Sequence, residues 1–72
     1  MGMYNLNELI GVFDTEGSAR TTADIYDIEL LSFENGVAVF ATKKDPHYLI
    51  KLGRENGWPE LFLNNKYKAL KL

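Results

Sequence analysis

The chain contains no cysteine and only one histidine, His47. Without cysteine no disulfide framework can brace the fold and no thiolate can hold a metal, and one imidazole is too few for a structural zinc site. The same absence fits a reducing compartment. Long apolar runs are missing too: none approaches the ~20 residues that span a bilayer. The start, Met1-Gly2-Met3-Tyr4, lacks the basic residues and apolar stretch of a secretory signal. These absences lead us to expect a soluble, cytoplasmic protein with no membrane partner. What is present is a chain of 72 residues, of which 46% are hydrophobic. That is one small domain, residues 1–72. Its core must be nearly contiguous, because short chains bury a smaller share of their surface, unless a partner subunit completes it.

Charge is distributed unevenly. Residues 1–42 hold seven acids against one base, Arg20, a net of −6, whereas residues 43–72 hold seven bases against three acids, a net of +4. Either the two halves pack together and neutralise each other, or they give the surface a dipole that orients a charged partner or a second copy. We expect partial segregation.

Along the chain, Leu6, Leu9, Ile10 and Phe13 recur with helical spacing after a capping-box-like Asn5 and Glu8, and predict a short helix. A strand is the competing assignment there, since Gly11 weakens a helix. Residues 14–24 are small and polar without evident periodicity and predict a mobile loop. Two strand-like runs follow, Ile25 to Glu34 and Val37 to Lys43. Between them Asn35-Gly36 is the strongest two-residue signal for a type I′ hairpin. A regular hairpin would pair residues whose numbers sum to about 71. Ser32 would then face Val39 and Leu30 face Ala41 on one side. On the other side Phe33 would face Ala38, Leu31 face Phe40 and Asp27 face Lys44. Apolar residues on both sides predict a hairpin covered on both faces. Asp45-Pro46 is a helix start, and Gly57 followed by Pro59 is a helix stop, so 46–56 reads as a helix with Tyr48, Leu49 and Leu52 as its stripe. A strand is the alternative, because Tyr48, Ile50 and Leu52 also alternate. In the tail, Asn64-Asn65 predicts a second hairpin with Phe62 facing Tyr67.

The stretch "VFDTEG" resembles the first motif of the four-carboxylate 3′–5′ exonucleases, and "DIYDIELLSFENG" resembles that family's second strand and hairpin turn. By that resemblance Asp14 and Glu16 would be metal ligands supporting attack of a metal-bound water on a phosphodiester. The family's later motifs supply two more aspartates and a His or Tyr base, and after residue 36 this chain has only Asp45, placed as a helix cap. "DTEG" also resembles a switch motif of guanylate-binding GTPases, but no G-x-x-x-x-G-K-[ST] loop accompanies it. The competing assignment is a turn initiated by Asp14, with Gly17 at positive φ, and it is the one adopted. His47 reads as a surface residue of a helical first turn, Ser18, Thr21 and Thr22 as loop hydroxyls without a base, and Trp58 as a lid on the core. No catalytic residue and no cofactor are expected, and Asp14 and Glu16 remain the weak metal candidates.

Lys44, Lys51, Arg54, Lys66, Lys68 and Lys71, interspersed with Trp58 and Tyr67, are the candidate partner-binding residues. The expected fold is α+β, two hairpins forming a small antiparallel sheet packed on one or two short helices, in the order α-β-β-α-β-β. A small SH3-like barrel is the alternative. The expected role is a non-enzymatic module, a regulator or inhibitor, that docks on a macromolecule through charged faces. A protein is the expected partner; a nucleic acid held by the C-terminal bases is the alternative, and a metal-dependent exonuclease fragment is a third reading. Contact through an apolar patch around Trp58 and Phe62 is the alternative to an electrostatic interface, and self-association is open.

Overall fold

The computed structural model describes residues 7–64. Its elements are β1 (Asn7–Val12), α1 (Glu16–Tyr26), β2 (Glu29–Glu34), β3 (Val37–Thr42), α2 (Pro46–Asn56) and β4 (Phe62–Leu63). The strands form one antiparallel sheet in the order β2-β3-β1-β4. Strands β1 and β2 both run antiparallel to β3 and are joined by α1. Strands β3 and β4 both run antiparallel to β1 and are joined by α2. Two split βαβ units therefore interleave, the ferredoxin-like arrangement. The α+β class and the small antiparallel sheet agree with expectation; the element order does not.

The hairpin turn forms as its chemistry requires. Asn35 (φ 53°) and Gly36 (φ 82°) both take positive φ, the signature of a type I′ turn. The Phe13 N–H donates to the Gly36 carbonyl at 2.8 Å, tying the turn to the end of β1. Ser32 faces Val39 and Phe33 faces Ala38, as the sum of 71 predicts, but the register shifts at Leu31, so that Leu30 faces Phe40 and Glu29 faces Ala41. This β-bulge corrects the expected Leu31–Phe40 and Leu30–Ala41 pairs. Its physical effect is a choice between two leucines: Leu30 joins Phe33 on the side packed against the core, and Leu31 is left 48% exposed. Without the extra residue the alternation would place Leu31 inside and Leu30 outside.

Residues 7–13 are not helical, and Leu6 of the expected helix lies outside the described residues. Asn7–Val12 is a strand paired along its length with β3 and, at Leu9 and Ile10, with β4. The spacing of Leu9, Ile10 and Phe13 fits either element. What decides is that Leu9 is needed on the core side while Ile10 and Val12 line the opposite side, a period of two. Residues 14–24 are not a loop either. Thr15 caps α1, its Oγ1 accepting from the Ser18 N–H at 3.1 Å, and Asp27 closes the helix in the left-handed conformation. The buried face is Ala19, Thr22, Ala23 and Tyr26, spaced i, i+3, i+4, i+7, a helical stripe built from small residues. Gly17 lies inside this helix, so the Asp14-initiated turn is corrected as well, and the expected strand start at Ile25 moves to Glu29.

Helix α2 forms as read. Asp45 Oδ1 accepts from the His47 N–H at 3.0 Å, Pro46 opens the helix, and Gly57 (φ 73°) ends it. Its buried stripe is Pro46, Leu49 and Gly53, whereas Tyr48 is 57% exposed and does not belong to it. Gly53 is where Tyr26 of α1 reaches α2: a Cβ there would lie 2.8 Å from Tyr26 Cζ. The core gathers Leu9, Ala38 and Phe40 of the sheet with Ala19, Ala23 and Tyr26 of α1, Leu49 of α2 and Leu61. Phe13 packs edge-on to Phe40, with ring centroids 6.1 Å apart. The sheet residues in this cluster lie on one face, so both helices cover that face. The expectation of a hairpin covered on both faces is thereby corrected: the described residues place no element over the other. The second hairpin predicted through Asn64-Asn65, with Tyr67 opposite Phe62, lies outside the described residues.

Candidate functional site

The open face of the sheet follows from the pairing. Residues opposite one another across neighbouring strands share a face, so three rows can be read across it. The first row is Glu29, Ala41 and Glu8, the second Ser32, Val39, Ile10 and Phe62, and the third Glu34, Val37 and Val12. The middle of this face is aliphatic. Val12 is 76% exposed, Phe62 49% and Val37 39%, a contiguous apolar patch of the kind that marks an interaction surface. Among the described residues the strands contain three ionisable side chains, Glu8, Glu29 and Glu34. All three are carboxylates on this face. Glu8 is buried, and its Oε1 accepts from Asn64 Nδ2 at 3.3 Å.

At the β4 edge the face turns into a groove of ≈ 920 Å³. Strand β4 pairs only Leu9 and Ile10 of β1, and the gap beyond it opens between α1 and the chain leading into β4. Val12 and Phe13 meet this groove from the sheet, Thr21 and Ile25 from α1, and Pro59 and Phe62 from the other side. Its ionisable lining residues are Asp14 and Glu60, again both acids. Val12 and Phe62 belong to the groove and to the open face, so the two surfaces are continuous.

Lys44, Arg54 and Lys51 have other places. Lys44 Nζ lies 3.2 Å from Asp27 Oδ2 and donates to the carbonyls of Tyr26 and Asp27 at 3.4 and 3.3 Å. It closes the C-terminal end of α1, where the helix dipole favours a cation. The expected Asp27–Lys44 pair thus exists, but through a helix cap instead of the hairpin ladder. Arg54 donates from Nε and Nη2 to Glu60 Oε2 at 3.0 and 2.7 Å, holding the end of α2 to the chain before β4. Lys51 is exposed on α2. Trp58 is half-buried against the core, its ring edge-on to Tyr26 at 5.1 Å, as a lid would be. Of the partner-binding candidates, Lys44, Lys51, Arg54 and Trp58 therefore sit along α2 and its ends, away from the open face. Lys66, Tyr67, Lys68 and Lys71 lie outside the described residues.

Asp14 and Glu16 are not brought together with a third ligand: among the described residues no three His, Cys, Asp or Glu side chains form a metal-holding group. Glu16 is held by Arg20 one turn on, at 2.6 Å, and Asp14 stands exposed before the Thr15 cap. The hydroxyls of Thr15, Ser18 and Thr22 are engaged locally: Thr15 donates to Ser18 Oγ at 3.2 Å and Thr22 to the Ser18 carbonyl at 2.9 Å. His47 is exposed in the first turn of α2. The open-face residues Ile10, Val12, Val37 and Val39 were not among the sequence candidates. The signal that could have found them is alternation: Glu8, Ile10 and Val12 read as one face as soon as β1 is a strand.

No helix among the described residues is long and apolar enough to cross a membrane. Comparison with protein-family models, with curated proteins and with solved structures found no match.

Proposed function

We propose that the chain is a non-enzymatic binding module that docks on a protein through the open face of its sheet. The observation that carries this reading is the composition of that face, aliphatic at its centre and carboxylate wherever it is charged. Burying Val12, Val37, Val39, Ile10 and Phe62 releases water from apolar surface, at roughly 25 cal/mol per Å² removed. A polar fringe around such a centre is the anatomy of a protein interface.

The same composition disfavours a nucleic acid on this face. Sheets that bind single-stranded RNA stack two or three bases on aromatic side chains of their strands, and among the described open-face positions a single one, Phe62, is aromatic. Three carboxylates would also repel phosphates, whose neutralisation drives such binding. A photo-crosslinking amino acid placed at Val37, and in a control chain at Tyr48 on α2, tests the reading in the cells that produce the protein. The expected result is a defined protein adduct from position 37 that position 48 does not give. A nucleic-acid adduct at position 37, or adducts from position 48 alone, would overturn it.

A further inference from the structure

We infer that the partner presents a basic amphipathic segment, which seats an apolar side chain in the groove at the β4 edge and aligns Lys or Arg with the carboxylates around it. This rests on the docking reading and specifies the chemistry of the occupant. Two features of the surface lead to it.

The first is charge. Among the described residues, neither the strands of the open face nor the lining of the groove includes a lysine or arginine. The ionisable groups there are Glu8, Glu29 and Glu34 on the face and Asp14 and Glu60 at the groove. The carboxylates of Asp14, Glu29 and Glu34 have no hydrogen-bond or ion-pair partner among the described residues, whereas Glu60 already holds Arg54. The described residues carry ten acids and five bases, a net of −5. An acidic partner would meet like charge at Asp14, Glu29 and Glu34, and a neutral one would forgo the attraction. A cationic one is complementary at these three positions, which raises its association rate and fixes its orientation.

The second is shape. The groove's volume falls within the ~300–1,000 Å³ of sites that take compact ligands, and Val12, Phe13, Ile25, Pro59 and Phe62 give it an apolar side, beside the hydroxyl-bearing Thr15, Ser18, Thr21 and Thr22. A buried anchor residue in such a pocket is what concentrates binding energy at protein interfaces. Because Val12 and Phe62 are shared, a segment anchored in the groove passes directly onto the open face without crossing a polar ridge. A second copy of this chain is the weaker match on its face-to-face side, since Glu8, Glu29 and Glu34 would confront themselves.

The test uses the full 72-residue chain. Random twelve-residue peptides are selected on the chain by phage display, and the enriched peptides are synthesised and titrated into the isotopically labelled protein. The expected enrichment is Lys or Arg within a few positions of an aromatic or branched aliphatic residue. Amide shifts should concentrate on Val12, Phe13, Val39 and Phe62. Affinity at low salt should fall by roughly two- to fivefold for each of Asp14→Asn and Glu34→Gln, the range of exposed charge pairs. Both are surface substitutions, and the spectrum of each free variant checks that its fold is intact. Enrichment of acidic or uncharged peptides, no enrichment at all, shifts centred on Tyr48 and Lys51, or affinities indifferent to both substitutions would each overturn the inference. Concentration-dependent shifts of the same residues without peptide would overturn it in favour of a second copy. A protein adduct at position 37 combined with acidic peptides would remove this inference and leave the docking reading standing; a nucleic-acid adduct would remove the docking reading itself.

Discussion

At the scale of single residues, two positions hold the fold in ways that can be measured. Gly36 sits at φ 82° in the hairpin turn, where a Cβ is strained and a branched one more so. Gly36→Val should lower stability by about 2 kcal/mol in a denaturant titration, and Gly36→Asn by well under half of that, since asparagine tolerates positive φ. Equal stability of the valine variant would mean that this turn does not organise the sheet. Tyr26 is buried, and its hydroxyl donates to the Pro59 carbonyl at 2.6 Å. Tyr26→Phe should cost about 1–2 kcal/mol by leaving that carbonyl unpaired. Burial first, and the Glu60 carboxylate second, push the Tyr26 phenol above its ordinary value of 10.0. The folded chain therefore holds this proton more tightly than the unfolded one. The associated stability is intact below pH ~10 and is lost as the pH rises through the raised value. Denaturation midpoints followed from pH 8 to 11 should fall more steeply for the parent chain than for Tyr26→Phe; parallel curves would contradict the assignment.

At the scale of elements, legibility tracked how local the determining chemistry is. The hairpin turn and α2 could be read because Asn35-Gly36, Asp45-Pro46 and Gly57 each fix a conformation through their own backbone. Helix α1 could not, because its buried face is Ala19, Thr22, Ala23 and Tyr26, three small residues whose contrast with their neighbours is weak. Only the close sheet gives that stripe its meaning. Thr15→Ala should remove the cap and cost about 0.5–2 kcal/mol, and amides from Ala19 to Tyr26 should be protected from hydrogen exchange. Free exchange across that span would restore a mobile loop. The bulge at Leu31 was equally hidden, since Leu30 and Leu31 are interchangeable in a hydropathy pattern. The structure separates them: Leu30→Ala should cost about 2 kcal/mol as a core truncation, whereas Leu31→Ala should stay within about 0.5 kcal/mol. The reverse order would reinstate the unbulged register.

At the scale of the whole molecule, the charge asymmetry acquires a geometry. The acids Glu8, Glu29 and Glu34 share the open sheet face, while Lys44, Lys51 and Arg54 lie between the end of β3 and the last turn of α2. Two of those cations are engaged in holding helix ends. The described part of the basic region singled out in the sequence is thus partly structural, and among the described residues the exposed apolar sheet face is the acidic one. That inversion was illegible because it depends on which sheet face the helices leave open, a tertiary property. The docking reading is tested most directly by methyl cross-saturation NMR on the chain bound to the partner captured from position 37. Saturating the partner should attenuate the methyl signals of Ile10, Val12, Val37 and Val39 and spare Leu49 and Leu52 of α2. Attenuation centred on α2, with the four sheet methyls unaffected, would contradict it.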